Sequence, residues 1–289
     1  MSVVDTGACV FCGEVVVIGD DYCECCGKRL TPEPVAGRDA NIEVDLGYAA
    51  SVTNRGLVHH RNEDAIQLWG TDRRAVIVLS DGVTQSGVPH LASRAAVDAA
   101  GRLLTELVAA ADGGAWDATG ATIEAVRAGQ DAVTAVPWPD TSDDSPACTF
   151  VSAVWDGRDI TVCSLGDSRA YWFGATATTL LTRDDSVTDD EDDPRHHTIT
   201  RWLGRDAPDG PPAVVSFRPD GAGRLLVCSD GLWGYASAIE VLDALVRTPE
   251  GRGPLDVARD LVDHALASGG RDNVTVAVVD ISPDAEDVT

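Results

Sequence analysis

Ala75-Val76-Ile77-Val78-Leu79-Ser80-Asp81-Gly82-Val83 is the stretch on which the reading of this chain turns. The unbroken apolar run over 75–79 predicts a buried strand. A strand delivers its last side chain at a sheet edge, and a glycine there lets the backbone turn or approach a ligand closely. Asp-Gly alone is first of all a turn signal. The pattern recurs, however, at Val227-Cys228-Ser229-Asp230-Gly231. Further aspartates stand at apolar boundaries in Asn62-Glu63-Asp64, Leu165-Gly166-Asp167-Ser168-Arg169 and Arg271-Asp272-Asn273. Carboxylates converging from separate strands build a hard, oxygen-rich site of the kind that suits Mg²⁺ or Mn²⁺.

Around these clusters the pattern alternates between strand and helix. Apolar residues at Ala92, Ala96, Ala99, Leu103, Leu107 and Ala111 predict one face of a helix over residues 91–111, and a second helix is expected over 116–136. Residues 147–155 and 159–165 flank Asp156-Gly157 as a hairpin. Strands are expected at 214–217, 224–228 and 274–279, with helices over 238–246 and 255–267. Strands before and after a helix pair, with hairpins among them, predict an α+β layered domain. Two antiparallel sheets covered by helices would satisfy it.

Five of the eight cysteines fall in the first 26 residues. Cys9-Val-Phe-Cys12-Gly13 and Cys23-Glu-Cys-Cys26-Gly27 form two Cys-x-x-Cys-Gly knuckles, which supply the four thiolates of a tetrahedral structural Zn²⁺. Cys9, Cys12, Cys23 and Cys26 are the expected ligands of a zinc ribbon over residues 1–30. Disulfides are the alternative, disfavoured because the N-terminus shows no secretion signal. Cys148, Cys163 and Cys228 lie in apolar runs and are expected as buried small hydrophobes. Residues 31–44, with Pro32, Pro34 and Gly37, are expected to be a linker. The main domain would then cover 45–282, followed by an acidic tail at 283–289. The formal net charge is −25, so nucleic acid and anionic membranes are disfavoured partners. No apolar run is long enough to span a membrane, and cytoplasmic residence is expected.

In their order along the chain the clusters resemble the motifs of the metal-dependent protein phosphatase family, of the protein phosphatase 2C type. The resembling segments include Gly56-Leu-Val-His59-His-Arg-Asn62-Glu63-Asp64-Ala65, Val78-Leu-Ser-Asp81-Gly82-Val83, Gly166-Asp167-Ser168-Arg169, Ile199-Thr-Arg-Trp-Leu-Gly204, Ser229-Asp230-Gly231-Leu-Trp233 and Asp272-Asn273-Val-Thr275. They run over residues 46–281. The resemblance implies a β-sandwich flanked by helices on both faces. It implies phosphoserine and phosphothreonine hydrolysis by a water activated between two Mn²⁺ or Mg²⁺ ions, in opposition to bacterial Ser/Thr kinases. Asp81 matches the carboxylate that bridges the ions, and Gly82 the residue whose backbone carbonyl holds one of them. Asp230 and Asp272 match the direct ligands of the second ion. Asp64, with Glu63, matches an acidic pair acting partly through bound water, and Asp167 matches a ligand of a third, weaker ion.

The chain departs from the pattern in three places. His59 stands where the family commonly has an Arg that grips the substrate phosphate, with His60 and Arg61 as neighbouring candidates. Val83 replaces a His that animal members often carry. Gly234 stands where many members have an Asp for the third ion, which leaves Asp167 either a metal ligand or a structural residue paired with Arg169. Residues 184–197 match a flap and carry the acidic run Asp189-Asp-Glu-Asp-Asp193. Such a run is either a solvated loop or a selector of basic substrates. Phosphorylated proteins are the expected partners, with the ribbon docking a protein. The alternatives are a phosphatase of anti-sigma-factor antagonists with the same fold and a non-catalytic phosphatase-like binding protein. Retention of Asp81, Asp230 and Asp272 argues against the second.

Overall fold

A computed structural model of the chain describes residues 6–8, 15–17, 41–71, 74–111, 116–138, 144–188, 190, 193–247 and 251–282. The chain divides into two units, Met1–Ala40 and Asn41–Thr289. In the first, β1 (Thr6–Ala8) pairs antiparallel with β2 (Val15–Val17). The hairpin flanks the first cysteine pair in sequence. Cys9, Cys12, Cys23 and Cys26, residues 31–40 of the expected linker and the tail 283–289 lie outside the described residues.

The second unit begins with β3 (Ile42–Asp45) and β4 (Ala49–Asn54), followed by β5 (Ala65–Thr71) and β6 (Arg74–Ser80). Strand β3 begins inside residues 31–44, expected to be linker, and ends one residue beyond them. All four of its side chains are exposed, so no apolar pattern marks it. The helices α1 (Pro89–Ala110) and α2 (Ala118–Thr134) come next. Then follow β7 (Ala147–Cys148), β8 (Phe150–Trp155), β9 (Ile160–Leu165), β10 (Arg169–Phe173) and β11 (Thr178–Leu180). After a 3-10 turn at Pro194–His197 come β12 (Leu203–Gly204), β13 (Ala213–Phe217) and β14 (Gly223–Cys228). The short α3 (Asp230–Trp233), α4 (Ile239–Val246), α5 (Pro254–Ala267) and β15 (Val274–Ile281) complete the unit.

Two antiparallel sheets result, in the orders β11-β10-β14-β15-β4-β3 and β13-β9-β8-β6-β5. Their inner faces meet through Ile77, Leu79, Val151 and Ile160 on one side and Leu225, Val227, Ala277 and Val279 on the other. Helices α1 and α2 cover the five-stranded sheet around Phe150, and α3–α5 cover the six-stranded sheet around Tyr171 and Leu226. The architecture is the expected helix–sheet–sheet–helix sandwich. Strands β6 and β8 are buried on both faces, which is why they read as continuous apolar runs. The most buried stripe of α1 is Ala92, Ala96, Ala100, Leu104 and Val108, one residue round from the expected Ala99, Leu103 and Leu107. Leu103 and Leu107 are half-buried against the same cluster, because α1 meets both a sheet and α2. Among the described residues no helix is long and apolar enough to cross a membrane.

Candidate metal centre

The register of the sheets brings the aspartates together. In the β5–β6 pair Ala65 lies opposite Ser80, so Asp64 and Asp81 leave the ladder side by side. Asp81 is held by Thr149, whose hydroxyl accepts from the Asp81 N–H at 3.0 Å and whose N–H donates to the Asp81 carbonyl at 2.7 Å. Gly82 passes close under α1, where a Cβ would lie 2.7 Å from the Pro89 carbonyl oxygen, so no larger residue fits without movement. In the other sheet β14 ends at Cys228 and Asp230 opens α3, while Asp272 precedes β15. The Asn273 N–H donates to Asp272 Oδ1 at 2.8 Å. The Asn273 side chain accepts from the Glu63 N–H at 2.7 Å and donates to the carbonyls of Arg55 and Arg61. Asn273 therefore clamps the loop that carries Glu63 and Asp64 onto the strand that carries Asp272. Asp167 sits in the β9–β10 turn, where Gly166 has φ 102°. The Asp167 backbone carbonyl accepts from Trp233 Nε1 at 2.9 Å.

Asp81, Gly82, Thr149, Asp167, Asp230 and Asp272 line one cleft of about 230 Å³. Larger hollows of about 330 and 490 Å³ lie elsewhere and gather no carboxylate cluster. The electrostatics of the cleft are strained. Burial, followed by the charge of Asp230, pushes the Asp64 carboxyl up to about 7, although the Ser229 hydroxyl donates to its Oδ2 at 2.8 Å. Asp81 is driven well above the carboxylate range by burial and by Asp64, Asp230, Asp272 and Asp167. Burial and the charge of Asp230 also raise Asp167 and Asp272. Asp64 Oδ1 and Asp230 Oδ1 are buried without a hydrogen-bond partner. Unpaired buried carboxylate oxygens carry a large desolvation cost. An all-oxygen donor set with orphaned lone pairs is what a divalent cation such as Mn²⁺ or Mg²⁺ would satisfy, so the residues present fit the expected ions.

His59 stands beside this cluster, with Nε2 3.4 Å from Asp272 Oδ1 and a side chain 24% exposed. Arg61 is turned to the ring of His90, 2.7 Å away. Arg169 makes its ion pair with Asp184 at 2.7 Å, both side chains buried, and so ties the base of the flap to β10. Sequence reasoning missed His197. It lines the cleft, its Nδ1 lies 3.5 Å from Asp230 Oδ2, and its ring stacks on Trp233 with centroids 5.0 Å apart. The Asp230 carboxylate raises it above the usual imidazole range. No local motif announces it, because a flap histidine is brought to the site only by tertiary folding.

The two-sheet sandwich brings its carboxylates together at one edge, as an oxygen donor set that would suit divalent cations. The chain belongs to the protein phosphatase 2C family, whose sequence profile matches residues 57–264. It is 29% identical over 255 residues to serine/threonine protein phosphatase PstP of Mycobacterium tuberculosis, covering 84% of this chain and 46% of that protein. The chain therefore spans about half the length of that relative. With the serine/threonine phosphatase stp of Listeria welshimeri it shares 25% over 257 residues, 81% of this chain and 95% of the other. The fold resembles the solved catalytic domain of PstP in complex with two manganese ions, with TM-score 0.64 and 26% identity over 81% of this chain and 97% of that one. It also resembles the phosphatase MsPP of Mycobacterium smegmatis in complex with cacodylate, with TM-score 0.65 and 27% identity over 81% and 98%.

Proposed function

We propose that this protein hydrolyses phosphoserine and phosphothreonine on other proteins, in opposition to Ser/Thr kinases. The single observation that carries the reading is the gathering of Asp81, Asp167, Asp230 and Asp272 around one cleft, with Asp64 buried beside Asp81, in a chain of this family. Asp81, the Gly82 carbonyl, Asp230 and Asp272 would together hold two Mn²⁺ or Mg²⁺ ions. When bound, such ions lower the pKa of water and offset charge on the phosphoryl oxygens.

The rest of the chemistry belongs to the chain. Asp64 Oδ1, buried and without a partner, offers an acceptor to the attacking water, and Ser229 keeps the carboxylate aimed by bonding the other oxygen. Glu63, held by the Thr84 hydroxyl at 2.9 Å, stands at the rim. His59, next to Asp272, supplies the phosphate contact. A thiolate nucleophile is disfavoured: Cys148, Cys163 and Cys228 are buried and free, and burial pushes the Cys148 and Cys163 thiols up to about 12.

The N-terminal residues 1–30 form, in this reading, a ribbon in which Cys9, Cys12, Cys23 and Cys26 hold a structural Zn²⁺. The β1–β2 hairpin supports it, since zinc ribbons place their knuckles at hairpin turns. The ribbon would dock a protein, and a thiolate site of this kind suits a reducing cytoplasm. In this reading residues 283–289 are an acidic tail, and the linker expected over 31–44 stops short of β3, which pairs with β4 in the sandwich. The experiment is phosphate release from a phosphothreonine peptide. Release that needs Mn²⁺ or Mg²⁺ and survives thiol blockade supports the proposal. Folded, metal-loaded protein without release would favour a binding role.

A further inference from the structure

Gly234 removes an expected acidic ligand from the cleft, and His197 occupies the space that ligand would point into. A Cβ built on Gly234 would lie 3.6 Å from His197 Cε1. One donor atom from each of Asp167, His197 and Asp230 falls within 4.8 Å of the other two. We propose that His197 is a metal ligand, completing with Asp167 and Asp230 a nitrogen-containing cation site distinct in its chemistry from the all-oxygen pair. The inference rests on the divalent-cation reading of the cleft and specifies a ligand for a further ion within it.

Three observations converge on it. Asp167 is 3% exposed, lines the cleft, and brings a carboxylate oxygen to within 4.8 Å of donor atoms of Asp230 and His197. Two carboxylates this close in a buried cleft are costly unless a cation offsets their charge. Asp230 Oδ1 is buried without a partner. The imidazole is also held in place, because stacking on Trp233 at an interplanar angle of 4° fixes the ring face. Trp233 in turn is anchored by its hydrogen bond to the Asp167 carbonyl. The Asp167 turn thus holds the indole at its N–H edge while the flap histidine lies on its face.

Two consequences follow from the chemistry. Imidazole is a softer donor than carboxylate, and Mg²⁺ binds oxygen and parts from its water reluctantly, so the site favours Mn²⁺ over Mg²⁺. His197 also lies at the end of the flap over residues 184–197, so an ion bound there pins the flap to the cleft floor.

Electron spin-echo spectroscopy of the full-length protein titrated with Mn²⁺ tests this directly. The wild type should show ¹⁴N modulation from a coordinated imidazole as the third equivalent binds. The modulation should persist in His59→Ala, which removes the other histidine near the cluster. In His197→Ala it should vanish, with the weakest Mn²⁺ class weakened by about tenfold or more while the two tighter ions remain. Retention of those two ions shows that the variant is folded. Two or three bound ions with no ¹⁴N modulation, or modulation unchanged in His197→Ala, overturn this inference and leave the phosphatase reading standing. Failure of the wild type to bind any Mn²⁺ overturns both.

Discussion

Asp64 and Asp81 leave adjacent strands side by side, and burial makes their company costly. The Asp64 carboxyl rises from 3.8 to about 7 in the metal-free fold. A carboxylate raised in the folded state contributes stability that is fully present below its unfolded value and is lost as pH rises through its folded value. Metal-free protein should therefore lose stability between about pH 4 and pH 7 on this account. Mn²⁺ should restore it, with release of protons. The gap in Tm between Mn²⁺-loaded and chelated protein should widen from pH 5 to pH 8, and calorimetry in buffers of different ionisation enthalpy should register the released protons. A pH-independent gap would contradict the electrostatic picture of the cleft. At His59, substitution by Ala should raise KM by roughly tenfold, the scale of a charged hydrogen bond, with a smaller effect on kcat. Arg at the same position, with a permanent charge and a planar fork of donors, should lower KM. Equal KM in all three would take His59 out of substrate binding.

At the scale of elements, the site depends on how β14, α3 and β15 cross. A Cβ on Gly231 would lie 1.8 Å from the Asn273 carbonyl oxygen, and one on Gly56, at φ 75°, would lie 2.1 Å from that of Asp272. Gly231→Ala and Gly56→Ala should each cost at least about 2 kcal/mol in urea unfolding and should weaken Mn²⁺ binding together with stability. A neutral result for either would mean that the backbone there is free to move. The same elements show which parts of the fold were legible. Strand β6 announced itself by five consecutive apolar residues, and its terminal Asp81 by the glycine that follows. Strand β4, Ala-Ala-Ser-Val-Thr-Asn, is buried at every position yet is built of small and hydroxyl-bearing residues. Its burial comes from neighbours on both faces, which local pattern does not record. Strand β10 went unread because Arg169 and the aromatics that follow are satisfied by tertiary partners, Asp184 and the helical layer. The aspartates at strand ends carried a sequence signal. His197 did not, because its approach to Asp230 depends on the path of the flap.

For the whole molecule, the two units should carry separate metals. Dialysed protein should retain one Zn²⁺ per chain by elemental analysis, and Cys9→Ser with Cys12→Ser should abolish it. Mn²⁺-dependent turnover of a small phosphomonoester should persist in that double variant. Loss of turnover along with zinc would show that the ribbon supports the catalytic unit. The net charge of −25 bears on substrate choice. A basic phosphopeptide should be preferred over an acidic one at low salt, and the preference should shrink as the ionic strength approaches 1 M, where the screening length is about 3 Å. A preference unaffected by salt would assign selectivity to short-range contacts.

If converging aspartates hold the ions that drive phosphate ester hydrolysis, phosphate release from a phosphothreonine peptide, measured with Mn²⁺ and with chelator for the wild type and for Asp230→Asn, should show it. Release should require the metal and fall by at least about a hundredfold in the variant, a loss on the scale of removing a transition-state electrostatic group. Release that persists in chelator, or that Asp230→Asn leaves intact, would contradict it.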